Sequence, residues 1–440
     1  MAIFGQKVRL MNEDIIHFVW KYNSALFKGL KCYPMGEVEV ISHGEHNFDS
    51  GPDFFNAKVK IDNTIWVGNV EIHVKSSDWN KHKHNIDEAY NNVILHVVAN
   101  NDLQVKNAKG DLVPTLEIPY PNEVEWELQR LVATENWIPC AGEIKRINPI
   151  NIRMWLSSLC VERLEQKTLH VNSLVDESKG NWEEAFYTSL ARSFGLKINA
   201  LPFELLAKAT PLKVLAKIKN SLFSIESILF GQAGMLEFSD IHADDYMLAL
   251  KKEYAYQSEK FHLKPIPGHL WKFMRLRPSF FPTLRIAQFA KLIHNSTGLF
   301  SRCLEAKDMS EYRKLLRIGC SKYWDNHYTF GKVSSISEKT LGDASVQIII
   351  LNTVVPFMFA YGIARGNEAL KDKALIFLEE LKPEVNSIIK GFSTYGLKAD
   401  SAFFSQALVH LKSQYCDRRK CLFCQIGANV LLKKMNKEIL

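Results

Sequence analysis

The sequence predicts an α+β protein of more than one domain: a mixed αβ module, a large all-α region, and a short cysteine-bearing tail. Three observations predict it. Short apolar runs and strand-like alternation are confined to the first quarter or so of the chain. Beyond about residue 150, apolar residues recur at helical spacing instead. Three of the eight cysteines crowd into 416–424 while five are scattered. At 440 residues the chain is about three domain lengths, and the expected divisions are 1–140, 141–400 and 401–440.

The mixed module reads in order as follows. Residues 12–27 form a helix, with Asn12 as N-cap, Glu13 and Asp14 in the first turn, and Ile15, Phe18, Val19 and Tyr22 on one face. Residues 37–42 are a strand, and Gly44 to Gly51, rich in His, Asn, Asp and Ser, is a loop. Phe55–Ile61 and Ile65–Lys75 are strands joined by Asp62-Asn63 turn chemistry. Glu88–Asn91 ends a short helix that leads into the apolar run Val93–Val98, of the type expected in a covered sheet. A strand pair straddles Lys109-Gly110-Asp111, and Pro114 and Pro119 close the module. The second part reads as consecutive helices, among them 151–166, 182–194, 211–223, 246–261, 283–294, 344–364 and 401–415, with Gly195 as a left-handed helix stop. No repeat of fixed period runs through it.

Composition narrows the function classes. With 47% hydrophobic and 23% charged residues and no low-complexity tract, the chain is not a disordered one. Residues 1–7 lack the apolar run of a signal peptide. The stretch from Val346 to Ala364 comes nearest to a membrane span, but Gln347, Asn352, Thr353 and Pro356 mark it as a buried helix. A cytoplasmic location without membrane association is expected, and eight cysteines there argue against a disulfide framework. The net charge of +7 is compatible with DNA or RNA as partner without diagnosing it. There is no GxGxxG or GxxxxGK[ST] string for a nucleotide, and Ser50 and Ser76 lack a nucleophile-elbow motif. Oligomeric state is not legible.

The chemistry concentrates in Val70-Glu71-Ile72-His73-Val74-Lys75 and in Ser50-Gly51-Pro52-Asp53. Strand side chains alternate, so Glu71, His73 and Lys75 share one face and Val70, Ile72 and Val74 the other. Burying that polar face costs several kcal/mol unless its charges are paired or metal-bound. A divalent cation held by Asp53 and Glu71 would supply the reason. The order helix, strand, Pro-Asp loop, strand, Glu-x-His-x-Lys strand, helix, strand resembles the core of the PD-(D/E)XK phosphodiesterase superfamily over about residues 10–100. The resemblance implies a restriction-endonuclease-like αβα module whose Asp53 and Glu71 bind Mg²⁺ (or Mn²⁺), with Glu13 completing the site. The family's lysine position holds His73, with Lys75 one alternation further along. The water would then be positioned by either residue, a neutral imidazole being a competent base. The activity implied is a metal-dependent nuclease. The alternative on the same fold is an inactive nucleic-acid-binding or scaffold protein.

Seven of the fourteen histidines, His17, His43, His46, His73, His82, His84 and His96, lie in the first 96 residues. With Asp49, Asp78 and Asp87 they offer another reading, a histidine-rich transition-metal hydrolase of a small molecule. Lys81, His82, Lys83 and His84 also read as contacts to a nucleic-acid backbone, or as a solvated basic loop. His96, centred in an apolar strand, reads as a hydrogen-bonded core histidine. In the second part, Arg277 and Arg285 flank Pro278, Phe280, Phe281 and Pro282. They read as a nucleic-acid grip or as an inter-helix connection with buried rings.

Cys416, Cys421 and Cys424 have C-x4-C-x2-C spacing that brings three thiolates to one centre, a structural site for Zn²⁺ or a [4Fe–4S] cluster. His410 is the nearest fourth ligand in sequence, and Cys32, Cys140, Cys303 and Cys320 are remote ones. Arg418, Arg419 and Lys420 are expected to lower the thiol pKa values. Some nucleases of the superfamily named above carry an iron–sulfur staple of three C-terminal cysteines plus one remote cysteine. Gly51-Pro52-Asp53-Phe54, Val70-Glu71-Ile72-His73, Arg285-Ile286-Ala287-Gln288 and Cys421-Leu422-Phe423-Cys424 together resemble an uncharacterised bacterial protein family over nearly the full length.

Overall fold

The alternating strand centred on Ile72 becomes the middle of a mixed sheet because its two faces have different tasks. In the structure, a computed structural model, residues 12–22, 27, 29–47, 49–237 and 243–438 are described. The N-terminal elements are α1 (Asn12–Tyr22), β1 (Cys32–Tyr33), β2 (Val38–Ser42), β3 (Glu45–His46), β4 (Phe54–Ile61), β5 (Thr64–Lys75), α2 (Asp78–Lys81), β6 (Val93–Asn100), β7 (Thr115–Glu117) and α3 (Asn122–Val132). The sheet order is β1-β7-β6-β5-β4-β2, with β3 on β4. β2, β4 and β5 run antiparallel, and β5 and β6 run parallel after a crossover through α2. The Asp62-Asn63 turn closes the β4–β5 hairpin at Ile61↔Thr64 as its chemistry predicts.

α1 lays Ile15, Ile16 and Val19, all fully buried, toward the sheet and packs on β5. Phe54, Val70, Ile72, Leu95 and Val97 supply the sheet side of this core. Gly68 is obligatory within β5: a Cβ there would meet Ile94 Cγ2 at 2.4 Å and the Asn92 carbonyl at 2.8 Å. The expected strand pair near Gly110 is reduced to a single bridge, Lys106↔Leu112, around an Asn107–Asp111 turn.

The chain divides into two compact units, Met1–Leu156 with Gly391–Leu397 and Val409–Leu440, and Ser157–Lys390 with Lys398–Leu408. The segment expected to stand alone as 401–440 is thus shared between them. From Val409 onward it belongs to the first unit, where the terminal helix Gln425–Glu438 packs on α3 and Arg419 Nη2 donates to the Thr134 carbonyl at 2.9 Å.

The second unit is helical apart from a small hairpin, His327–Thr329 with Lys332–Val333, so the region is not purely α. The apolar stretch forms a helix over Asp343–Ala364 with a π-helical segment at Ile350–Val354. By length and composition it would cross a bilayer, yet 72% of its most apolar window is buried inside the fold. The stop after Trp182–Phe194 differs from expectation. Leu196, not Gly195, is left-handed, and Gly195 is needed because a Cβ would strike the Asn199 carbonyl at 2.2 Å.

Candidate metal centre

β4 ends its pairing at Phe54↔Val70, so the β5 backbone beyond Val70 lacks a strand neighbour on that side. Asp53 fills the gap. Its Oδ2 accepts the Ile72 N–H at 2.8 Å, and its own N–H donates to Glu71 Oε2 at 3.2 Å. A bulge in β4, with Asn56 at φ +55°, lies beside this point. The two acids therefore stand together on one side of the strand. α1 adds Glu13 and His17, one turn apart and hence on one face. His17 Nε2 lies 3.2 Å from Asp53 Oδ2, and Glu13 feels the charges of His82, His17 and Asp53.

The parallel register sets Glu71 opposite His96 and His73 opposite Val98, so Glu71, His73 and His96 share a face. His73 Nδ1 meets His96 Nε2 at 2.8 Å, and His73 Nε2 meets His82 Nδ1 at 3.0 Å. After α2, Lys83 is left-handed at φ +67°, which turns the chain so that both His82 and His84 face the same centre. His84 Nε2 is 3.1 Å from Glu71 Oε1, and His73 Nε2 is 3.6 Å from the same oxygen. One donor nitrogen from each of His73, His82 and His84 lies within 4.8 Å of the other two. The His84 ring is stacked on Tyr90 at 3.7 Å and edge-on to fully buried Trp79, whose Nε1 donates to the Lys106 carbonyl.

Burial dominates the electrostatics. Glu71 is pushed up to about 9 by desolvation, with the Asp53 charge adding to it. His73 falls to about 2 and His96 to about 3, again through burial first and neighbouring imidazoles second, and His84 is lowered by burial. For His17, burial lowers the pKa, but the hydrogen bond and charge of Asp53 outweigh it and the net shift is upward. The core of the site thus holds neutral imidazoles, the protonation state that binds metal, while a histidine bearing positive charge more readily sits at its margin.

The donor set fits a borderline divalent ion. Ligands at 2.0–2.1 Å around a tetrahedral ion stand about 3.4 Å apart; His73 to His82 at 3.0 Å, and Glu71 to His84 and His73 at 3.1 and 3.6 Å, lie near that value, and the three imidazole nitrogens are all within 4.8 Å of one another. His84 Nε2 is buried, and the 3.1 Å approach of Glu71 Oε1 does not have hydrogen-bond geometry. His96 fixes the far nitrogen of His73.

The other expected residues fall as follows. Asp53, Glu71, Glu13 and His73 are brought together. Lys75 shares the β5 face but lies exposed at the strand's end. Lys81 is exposed beside Asp78, at 3.3 Å, and Lys83 is exposed at the tip of the turn. Arg277 is exposed, whereas Arg285 is 4% exposed, bonded to Ser345 Oγ at 2.8 Å and Gln288 Oε1 at 3.2 Å, with Phe280 against it. Arg285 is therefore internal scaffolding and not a phosphate contact. The sequence offered His17 only as one of seven histidines of a possible transition-metal site; the Glu13/His17 spacing on one helical face was the signal that pairs it with Asp53 and Glu13. An apolar cleft in the second unit, lined by Phe186, Tyr187, Leu190 and Ile293, encloses about 120 Å³ but holds no imidazole or thiol.

Among the tail residues, Cys416, Cys421 and Cys424 are buried, and Cys140 is the remote thiol whose charge acts on Cys416. His410 is 1% exposed, with its ring edge-on to Tyr415 at 6.3 Å between centroids. Burial raises these thiols; Arg419 lowers Cys421 without overcoming it, so the expected depression by the basic run is not what the structure gives.

Comparison with curated proteins finds no match, and comparison with solved structures finds none. One family model does match, over residues 13–387, which takes in the histidine cluster and most of the helical unit: the chain belongs to the family described as Protein of unknown function (DUF2851).

Proposed function

We propose that the protein is a metal-dependent phosphodiester hydrolase acting on nucleic acid, with its ion held by His73, His82, His84 and Glu71. Three imidazole nitrogens within 4.8 Å of one another, with Glu71 Oε1 at 3.1 Å from His84 and 3.6 Å from His73, carry this reading. Imidazole donors suit Zn²⁺, Mn²⁺ or Fe²⁺ better than the Mg²⁺ expected for a carboxylate pair. A bound ion supplies Lewis acidity and acidifies a water molecule. His96 orients His73; Asp53 secures the free edge of β5 and holds His17, whose raised pKa suits it to bind a phosphoryl oxygen. Glu13 stands where it can accept a proton from water. Exposed Lys81 and Lys83 border the centre and suit backbone phosphates.

The phosphodiester substrate draws its support from the element order, α1, β2, the Pro52-Asp53 turn, β4, the Glu71-x-His73-x-Lys75 strand β5, α2 and β6, which resembles the PD-(D/E)XK core. The imidazole-rich donor set also favours a second reading, hydrolysis of a small molecule at the same centre. Labelled single- and double-stranded DNA and RNA, incubated with Zn²⁺, Mn²⁺, Mg²⁺ or chelator, test the proposal beside Glu71→Gln and His84→Ala. Cleavage supported by Zn²⁺ or Mn²⁺, abolished by chelator and reduced at least about 10²-fold in both variants, is expected. Cleavage unaffected by either substitution overturns the site, and binding without cleavage under any metal overturns the activity.

A further inference from the structure

Between Glu259 and Glu305 the helical unit carries eight lysines and arginines and no acid. At 48 acids in 440 residues, a stretch of that length would hold about five. Its outer run, from Lys264 to Phe281, is a loop with two short 3₁₀ turns, Gly268–Leu270 and Pro278–Phe280. The backbone of this loop is pinned from beneath. The Ile266 N–H donates to the Gln232 carbonyl at 2.8 Å, and the Trp271 indole N–H donates to the Ala233 carbonyl at 2.8 Å. Asn199 and the Lys272 backbone exchange two hydrogen bonds of 2.9 Å. The rings serve the same anchoring: Trp271 is buried edge-on to Phe203, and Phe273 meets Phe281 edge-on at 5.5 Å. The cations face water instead. Lys264, Lys272, Arg275 and Arg277 are all exposed, and among the described residues none is paired with a carboxylate. Arg275 lies in a turn closed by the Leu276 N–H on the Phe273 carbonyl at 3.3 Å, and is left-handed at φ +61°. That conformation favours glycine, so the arginine is held there against a backbone preference, as happens where strain serves a function.

We propose that Lys264, Lys272, Arg275 and Arg277 form a sequence-independent docking surface for the phosphodiester backbone of nucleic acid. The surface belongs to the helical unit, which holds none of the imidazole donors. It takes its class of partner from the nucleic-acid reading above, and its place from charge and order in the loop. Unpaired cations on a backbone that is already fixed bind a polyanion without the cost of ordering that backbone. Each phosphate they neutralise releases a counterion, and duplex DNA offers one negative charge per about 1.7 Å of its axis, so neighbouring cations each find a phosphate. No base is read, because the contacts are to the backbone alone. A lipid surface fits less well. A segment that enters a membrane interface turns its large apolar side chains outward. Here Trp271 is buried, Phe273 and Phe281 pack on each other, and Met274 alone stands out, 84% exposed. Arg285, bonded to Ser345 and Gln288, is not part of the surface.

Fluorescence anisotropy of labelled single- and double-stranded DNA and RNA, titrated with the full chain in chelator at several salt concentrations, tests the surface. In the triple variant Lys272→Gln, Arg275→Gln, Arg277→Gln, the slope of log affinity against log salt should become shallower by about 2–3, and binding at about 100 mM salt should weaken at least about 10-fold. A variant of equal net charge, Lys179→Gln, Lys252→Gln, Lys314→Gln, should keep both. Arg275→Gly separates contact from architecture: it relieves the left-handed backbone, so its urea midpoint should hold or rise while its affinity falls. An unchanged slope in the first triple variant, or an equal loss in the second, overturns the proposal. So does a first triple variant that keeps its nucleic-acid affinity but no longer binds phosphatidylserine vesicles, since the loop then serves a membrane. The chelator keeps the two proposals apart. The predicted slope change without cleavage under any metal overturns the hydrolase activity alone, and cleavage with an unchanged slope overturns this surface alone.

Discussion

His84→Ala removes one of four donors from the imidazole centre while leaving the strand that carries Glu71 and His73 intact. Four-donor zinc centres bind with apparent free energies of about 10–16 kcal/mol, so one donor corresponds to roughly 3 kcal/mol, a loss of about 10²-fold in Kd. The substitution also removes the 3.1 Å contact of His84 Nε2 to Glu71 Oε1 and the stacking on Tyr90, so circular dichroism accompanies the titration to show that the fold is kept. Glu71 adds a signature of its own. Its carboxyl, raised to about 9, must give up a proton when it binds the ion. Affinity then falls about tenfold per unit as the pH drops below about 9, and Glu71→Gln loses that one-proton slope. His73, at about 2, is neutral throughout and contributes no slope. Competition titration against a chromophoric zinc chelator at several pH values from 6 to 8 measures both effects. An unchanged Kd in His84→Ala, or the same slope in Glu71→Gln as in the unmodified protein, refutes the reasoning.

His96→Phe, which removes the partner of His73 Nδ1 from a fully buried position, should weaken zinc binding about 10–100-fold by the same titration while circular dichroism stays native. In the helical unit, Glu226 is fully buried and its carboxyl raised to about 7 by desolvation, against an ordinary value of 4.5. The folded state therefore holds that proton more tightly than the unfolded state. The group's stabilising contribution is complete below pH 4.5 and is lost as the pH rises toward 7. Urea unfolding of Glu226→Gln, compared with the unmodified protein, should accordingly shift by about 3 kcal/mol in the variant's favour between pH 4.5 and pH 8. Gly68→Ala forces a methyl into Ile94 and the Asn92 carbonyl and should cost about 1–3 kcal/mol in the same assay.

Much of this fold was legible because the N-terminal module obeys local rules. The alternation of 70–75, the Asp62-Asn63 turn and the amphipathic first helix each yield the element they predict, and period two alone places Glu71 and His73 on one face. What the sequence could not reveal depends on register and on long-range closure. That His96 faces His73 follows from Glu71 pairing with His96 across parallel strands, an offset no local pattern encodes. That His82 and His84 both turn inward depends on a left-handed lysine, a conformation a non-glycine residue adopts only where the surrounding structure enforces it. Arg285 misled because an arginine beside aromatic residues has the same local appearance whether its partner is a phosphate or a buried serine. Cys140 could be named only as one of several remote thiols, since 276 residues separate it from Cys416.

Crystals of the protein soaked with Zn²⁺ and measured at the zinc absorption edge test the central claim most directly. The account predicts an anomalous peak bonded at about 2.0–2.2 Å to a nitrogen of each of His73, His82 and His84 and to a Glu71 oxygen. A centre left vacant at saturating zinc, or an ion bound by Asp53 and Glu13 with no imidazole in contact, would contradict it.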